Sequence, residues 1–306
     1  MHGVRVNHSL GSKIMRKLLM GVVVIVVSIA GLAACSPLRA INVLTPGDTY
    51  TLEEGVAYGA LPRQRLDVYT PLQMRGPAPV VVFFYGGSWT GGSRADYKFV
   101  GEALAARGIV AVIADYRLSP EVVYPAFVQD SAAAVAWAVR SIAARGGDPA
   151  RLFVMGHSAG AYNAAMVALD PRWLEEQGLT QAALHGWIGL AGPYDFIPIE
   201  NPDIKPAFLY PDTPVESQPI NRVTGSSPPA LLLAGSADTV VDPRRNTLQL
   251  AERLRSKGVQ VEVDIFEGIS HPMMIGAIWK PLRSRAPVLE RVVDFVKERS
   301  PGSRTN

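Results

Sequence analysis

Several strand-length stretches of this chain contain no polar side chain at all, Val80-Val81-Val82-Phe83-Phe84 and Ile109 to Ala114 (IVAVIA) among them. A strand with no polar alternation needs cover on both faces, and a parallel sheet with helices packed on each side provides it. The hydropathy pattern predicts strands at Tyr50–Ala57, Arg65–Tyr69, Val80–Phe84, Val110–Ala114, Leu152–Met155, Gly186–Leu190, Ala230–Ala234 and Val259–Phe266. Helical periodicity occupies Asp96–Arg107, Ala126–Ala144, Ala159–Leu169, Arg244–Lys257 and Pro287–Glu298. The first two strands alternate polar and apolar residues, whereas Val80–Phe84 and Val110–Ala114 are unbroken apolar runs. The sheet is therefore expected to begin antiparallel and to continue parallel and buried. With 48% hydrophobic and only 19% charged residues, the chain has the means to build that core, which excludes a disordered or fibrous protein. One α/β domain over residues 47–300 is the expectation. The rhythm breaks at 192–229, where nine prolines and the aromatic residues Phe196, Phe208 and Tyr210 predict a cap-like insertion over the sheet.

The predicted strand Leu152–Met155 runs into Gly156-His157-Ser158-Ala159-Gly160 and then into a helical pattern. A serine on so tight a strand-to-helix turn needs flanking residues without side chains, and both glycines meet that need. The helix beginning behind Ser158 also aims its amide groups at any negative charge that develops there. Ser158 is thus a candidate nucleophile and requires a base. After the N-terminal segment the chain has three histidines, His157, His185 and His271. His157 occupies the turn itself and His185 a helix-to-strand junction. His271 follows the last strand, where a base can face Ser158. The orienting acid should follow another parallel strand. Asp238 comes first after Ala230–Ala234; Asp242, directly before Pro243 and a helical stretch, fits a helix N-cap instead. Ahead of these, the run Tyr85–Gly92 is a glycine-rich turn whose bare backbone can approach a substrate oxygen. A phosphate-binding loop would carry a Lys-Ser/Thr pair there, and this one does not.

With its strand, turn and chain order Ser, Asp, His, the chain resembles the α/β-hydrolase fold. Within that fold it is similar to the carboxylesterases related to hormone-sensitive lipase and to the BD-FAE-like, feruloyl-esterase-like group. Tyr85-Gly86-Gly87-Ser88-Trp89 stands where that family has H-G-G-G-W. Asp115-Tyr116-Arg117-Leu118 matches its D-Y-R-L, and Pro125-Ala126-Phe127 with Asp130 matches its P-A-x-x-x-D. The resemblance extends from about Arg65 to Glu298. It implies a catalytic set of Ser158, Asp238 and His271, with an oxyanion hole formed by the backbone N–H groups of Gly87, Ser88 and Ala159. It implies hydrolysis of small-molecule carboxylic esters, short-chain acyl or aryl, through an acyl-enzyme and without a cofactor. An amidase of the formylkynurenine-formamidase type and a non-catalytic protein retaining the fold are the alternatives. Tyr85 and Ser88 depart from the family pattern. The Ser88 side chain, with Trp89 and Tyr162 close to the two motifs, is expected to narrow the substrate pocket.

The charge balance belongs to the N-terminus. Arg5, Lys13, Arg16 and Lys17 precede residue 35 with no acidic residue among them; without those four, 26 basic residues face 27 acidic ones. The formal charge of +3 therefore carries no nucleic-acid signal. After Arg16-Lys17 come 17 uncharged residues, Leu18–Ala34, and then Cys35, the chain's only cysteine. Leu32-Ala33-Ala34-Cys35 resembles a bacterial lipobox. The expectation is a lipoprotein signal peptide at 1–34, lipidation of Cys35, a tether at 35–46, and a membrane-anchored protein of the cell envelope, with an uncleaved signal anchor or an ordinary cleaved signal as the alternatives. Met15 directly before Arg16 would give a leader of ordinary length.

Overall fold

The computed structural model describes residues 37–300. The predicted leader and Cys35 lie outside the described residues. The chain divides into two units, residues 1–45 and 46–306. What is described of the first is a helix, α1 (Pro37–Val43), so part of the predicted tether is helical. Its proline stands at the first helical position, where the missing N–H is harmless, and Thr45 Oγ1 donates to the Ile41 carbonyl at 2.9 Å near its end.

The second unit holds an eight-stranded sheet in the order β1-β2-β4-β3-β5-β6-β7-β8. The strands are β1 (Tyr50–Ala57), β2 (Arg65–Pro71), β3 (Ala78–Phe84), β4 (Val110–Ala114), β5 (Gly147–His157), β6 (Gly186–Leu190), β7 (Ala230–Gly235) and β8 (Val261–Phe266). The pairs β1·β2 and β2·β4 are antiparallel, and every later pair is parallel. Every residue of β3, β4, β6 and β7 is buried, the consequence of their unbroken apolar runs. The helices of this unit are α2 (Lys98–Ala105), α3 (Ala126–Ser141), α4 (Ala159–Leu169), α5 (Pro171–Glu175), α6 (Gln249–Ser256), α7 (His271–Gly276) and α8 (Val288–Glu298). Parallel crossovers are right-handed. The chain moves one way from β3 to β4 and the other way from β5 onward, so α2 lies on one face and α3, α4 and α6 on the other. Helix α8 returns to pack beside α2. The expected fold, a mostly parallel sheet with an antiparallel edge and helices on both faces, is the observed one. The reversal of direction at β3 opens a crevice at the carboxyl ends of β3 and β5, the place where open α/β sheets hold their ligands.

The structure corrects several boundaries, each for a local reason. The helix predicted at Asp96 starts as a 3₁₀ turn, Arg94–Tyr97, because Ser93 Oγ accepts the Ala95 N–H at 3.3 Å. The helix predicted at Arg244 starts as a π turn, Arg244–Leu248, around Asn246. That side chain accepts from Tyr194 N and Asp195 N at 2.6 and 3.0 Å, which draws it out of the regular helical register. His271, expected after the last strand, is the first residue of α7, followed by Pro272. The insertion 192–229 is a chain of 3₁₀ turns at Pro202–Ile204, Pro206–Phe208, Val215–Ser217 and Pro219–Arg222. It is pinned to the domain: Tyr124 N donates to Ala207 O at 2.8 Å and the Tyr162 hydroxyl to Ser217 O at 2.7 Å.

Candidate active site

Ser158 sits at the end of β5 with φ 55° and ψ −124°, a conformation that L-residues adopt only when their surroundings impose it. The imposing parts are visible. A Cβ on Gly156 would collide with the Gly160 carbonyl, and one on Gly160 with the Phe84 carbonyl of the neighbouring strand. The chain therefore turns within van der Waals contact of β3, and Ser158 N donates to Leu190 O of β6 at 2.9 Å. The hydroxyl is left at the carboxyl edge of the sheet, partly exposed.

Two other carboxyl-edge segments meet it there. His271 Nε2 lies 2.9 Å from Ser158 Oγ, and His271 Nδ1 lies 2.7 Å from Asp238 Oδ2. With the Nδ1 proton on the carboxylate side, Nε2 is the free base that can accept the seryl proton. Asp238 is buried, which opposes ionisation. The hydrogen bond from His271 and those from the Val241 and Val240 N–H groups, 2.8 and 2.9 Å, prevail and hold its pKa below the usual carboxylate range. Asp242 is not part of this chain. Its Oδ1 accepts the Arg244 N–H at 2.8 Å, a helix-start contact.

His157, in the turn itself, does not bond Ser158 but touches His271. Its Nε2–H donates to the His271 carbonyl at 3.2 Å, and the two rings lie 5.0 Å apart. Burial, then the proximity of His271, push its pKa down to about 3, so it is a neutral cross-link between the serine turn and the histidine segment. His185 packs against Phe153, away from Ser158.

The glycine-rich turn after β3 forms the opposite rim. Gly87, Ser88 and Trp89 have φ of 132°, 53° and 56°, three left-handed residues in succession. Thr90 N and Gly91 N both donate to the Gly87 carbonyl, at 2.9 and 3.0 Å, closing the turn. Beneath it lies a buried polar network that the motifs flagged without explaining. Tyr85, where the family has histidine, donates its hydroxyl to Asp115 Oδ1 at 2.7 Å and accepts from Arg63 at 2.8 Å. Arg94 pairs with both Asp115 and Asp67. Burial in this network pushes the Tyr85 hydroxyl pKa far up, so it stays a donor. The Asp130 of the P-A-x-x-x-D motif receives Arg117 through two bonds, 2.8 and 2.9 Å.

A cleft of about 510 Å³ opens over Ser158, Ser88 and Ala159. Its further walls are Trp89, Phe196 and Ile199 on one side and Val240, Val241 and Arg245 on the other. Tyr162 does not line it, which corrects the expectation from sequence proximity. Four residues past Ser158 on α4, it is fully buried and spends its hydroxyl on Ser217 O behind the wall. Neighbourhood in sequence does not tell which side of a fully buried helix a residue faces.

Comparison with known proteins agrees with this architecture. A family described as BD-FAE matches residues 66–254. "Esterase LipC" of Mycobacterium tuberculosis is 33% identical over 228 residues, 68% of this chain and 56% of that protein. A "Probable isoprenylcysteine alpha-carbonyl methylesterase" of Arabidopsis thaliana is 28% identical over 243 residues, 72% of this chain and 51% of that protein. The chain thus spans about half the length of the curated relatives it matches. Among solved structures, "ESTERASE B from Lactobacillus Rhamnosis" superposes with a TM-score of 0.71 at 20% identity, covering 90% of this chain and 95% of the other; at that identity the likeness is one of fold. Since the family match extends through the strands that carry the glycine-rich turn, Ser158 and Asp238, the chain belongs to the BD-FAE family.

Proposed function

We propose that this protein is a carboxylic ester hydrolase that works through an acyl-enzyme on Ser158. The observation that carries the proposal is the hydrogen-bonded chain Asp238–His271–Ser158 at the mouth of the cleft. His271 Nε2 takes the seryl proton as Oγ attacks the ester carbonyl, and Asp238 holds the imidazole in the required tautomer. Backbone N–H groups of Gly87, Ser88 and Ala159 stabilise the oxyanion of the tetrahedral intermediate. His271 then passes its proton to the departing alkoxide, leaving the acyl group on Oγ. Water repeats the sequence, giving its proton to His271 as it attacks, and Ser158 recovers that proton as the acid leaves. The relatives named as esterases support the chemistry.

Short acyl or aryl esters fit the cleft best, because its inner wall is the fixed indole of Trp89 and its outer wall is the insertion. The same proposal places the protein at a membrane of the cell envelope through a lipid on Cys35, on the strength of the leader pattern alone. The test of the catalytic reading is a fluorophosphonate probe together with a hydrolysis screen over aliphatic esters, aryl esters and formamides. Labelling and ester turnover by the wild type, both lost in Ser158→Ala, are expected. A wild type that neither reacts nor hydrolyses would overturn it, and formamides turned over faster than esters would replace it with the amidase.

A further inference from the structure

The donors assigned to the oxyanion come from two separate elements, Gly87 and Ser88 on the turn after β3 and Ala159 at the start of α4. Three donors converge on one oxygen only if those elements are locked together. Removing one such donor from an acyl-transfer site costs on the order of 100-fold or more in rate, and a displacement of about 1 Å can cost as much. The turn is not self-supporting, since Ser88 and Trp89, two successive non-glycine residues in the left-handed region, favour relaxation to another conformation. Its bonds to Gly87 O are internal to it. Its start is anchored at Tyr85, whose hydroxyl bonds Asp115 and Arg63 and whose carbonyl accepts from the Tyr116 hydroxyl at 2.8 Å; further along, Ser119 N donates to Trp89 O at 2.8 Å, Arg63 to Gly92 O at 2.9 Å, and the Trp89 indole N–H to Asn163 Oδ1 at 3.1 Å. Of these, only the bond to Asn163 reaches α4, the helix that begins at Ala159.

Asn163 is an unusual residue to find there. It is fully buried in a helix that otherwise reads Ala, Gly, Met, Val, Leu and Tyr. Its Nδ2 finds no partner among the described residues. A side chain kept for packing alone would be apolar at this position, because an amide donor buried without an acceptor destabilises the fold. What the asparagine supplies that leucine cannot is one carbonyl oxygen, and that oxygen holds Trp89. The indole is seated around this bond by the rings of Tyr162 and Phe208, 5.1 and 4.7 Å away and edge-on.

We propose that Asn163 is a positioning residue for catalysis: through the Trp89 indole it fixes the glycine-rich turn against α4, so that the donors of the two elements address one oxyanion. The proposal rests on the ester-hydrolase reading above. Nothing in it requires Asn163 to touch substrate, and the cleft does not reach it.

The test is a double-mutant cycle with Asn163→Leu, Trp89→Phe and the pair, read on a p-nitrophenyl ester and on inhibition by an alkyl boronic acid that mimics the tetrahedral intermediate. Asn163→Leu removes one orphan donor, the Asn163 amide, and leaves another, the Trp89 indole N–H, so the two changes offset and the melting temperature should hold within a few degrees. The kcat should fall roughly 10- to 100-fold with KM changed less than about 3-fold, and boronate affinity should fall with kcat. The double variant should be no worse than the poorer single one, since both remove the same bond. Asn163→Leu with wild-type kcat overturns the proposal, as does a double variant whose losses multiply. If Asn163→Leu does not fold, Trp89→Phe carries the same prediction for kcat and boronate affinity, and unchanged values there overturn it too. A wild type without ester turnover or fluorophosphonate labelling would instead sink the underlying reading, which separates the two failures.

Discussion

Asp238 and Asp242 stand four residues apart after the same strand, and their surroundings give them different work. Asp238 Oδ2 faces the imidazole at 2.7 Å, whereas Asp242 Oδ1 faces a backbone N–H at 2.8 Å. Asp238→Asn should therefore cost roughly 10⁴ in kcat by favouring the wrong imidazole tautomer. Asp242→Asn should leave kcat within a few-fold, because asparagine caps a helix start about as well as aspartate does. Ser158→Ala and His271→Ala should each remove on the order of 10⁴ to 10⁶, and the double variant should be little worse because the two act as one unit. Steady-state rates on p-nitrophenyl acetate decide these cases, and Asp242→Asn as the more damaging change would reverse the assignment. His157 makes a separate prediction about stability. Its folded pKa of about 3 lies below the ordinary imidazole value, so the unfolded chain binds the proton first as pH falls. Stability should then decline from about pH 6.5 toward 3, with a slope of up to about 1.4 kcal/mol per unit from this group. The depressed carboxyl of Asp238 adds loss in the same direction but lower on the scale. His157→Gln keeps an N–H for the His271 carbonyl and removes the titration. Its urea midpoints at pH 7, 5.5 and 4 should fall less steeply than those of the wild type, and parallel declines would show that His157 does not set the acid limit.

At the scale of elements, the proposed function makes the wall of the cleft the limit on the acyl chain. Trp89 is held by Asn163 and by the rings of Phe127, Tyr162 and Phe208, and Phe196 of the insertion stacks on it at 6.0 Å. Each methylene that fits should gain about 0.8 kcal/mol, roughly 4-fold in kcat/KM, and the first that does not should lose at least as much. Across p-nitrophenyl esters the preference should peak between two and about six acyl carbons, and Phe196→Ala should move the peak to longer chains. A peak at twelve carbons in the wild type would mean that the insertion opens. Much of this site was legible in the sequence, because the glycine-flanked serine, the strand-terminal aspartate and the post-strand histidine each carry a local pattern. The supporting parts were not. Asn163 lies on a helix buried all round, so no hydrophobic periodicity marks the side that faces Trp89. The union of Arg63, Arg94, Asp67 and Asp115 joins residues from separate strands and turns. Its motif, D-Y-R-L, pointed to Asp115 but not to the tyrosine and arginines it would bind. The π turn at Arg244 arises from two backbone N–H groups some fifty residues earlier, and no local propensity encodes them.

At the scale of the whole chain, the charge excess and the proposed lipid anchor fall in the N-terminal segment. The sequence pI of about 9.0 reflects the four basic residues before Cys35, and the remainder carries one more acidic than basic residue. The eight strands and the cleft all lie in the unit from Pro46 onward, so on the proposed function that unit carries the parts that fold and hydrolyse esters. A protein beginning at Pro46 should therefore be recovered without detergent and should keep the kcat of the full chain on p-nitrophenyl acetate. The full chain expressed in a bacterial host should behave differently. Lipidation of Cys35 would add a diacylglyceryl group, and two acyl chains give stable membrane attachment where one gives only marginal binding. The full chain should sediment with membranes, resist high salt, which releases only electrostatically held proteins, and come off in detergent. Cys35→Ser removes the one sulfur that can carry the lipid, so the variant should accumulate as an unprocessed precursor with an intact leader. Mass spectrometry of the detergent-extracted wild type should find the N-terminus at Cys35 with the lipid attached. A Cys35→Ser protein cleaved and released like the wild type would show that the leader is an ordinary signal and that nothing tethers the hydrolase to the membrane through this residue.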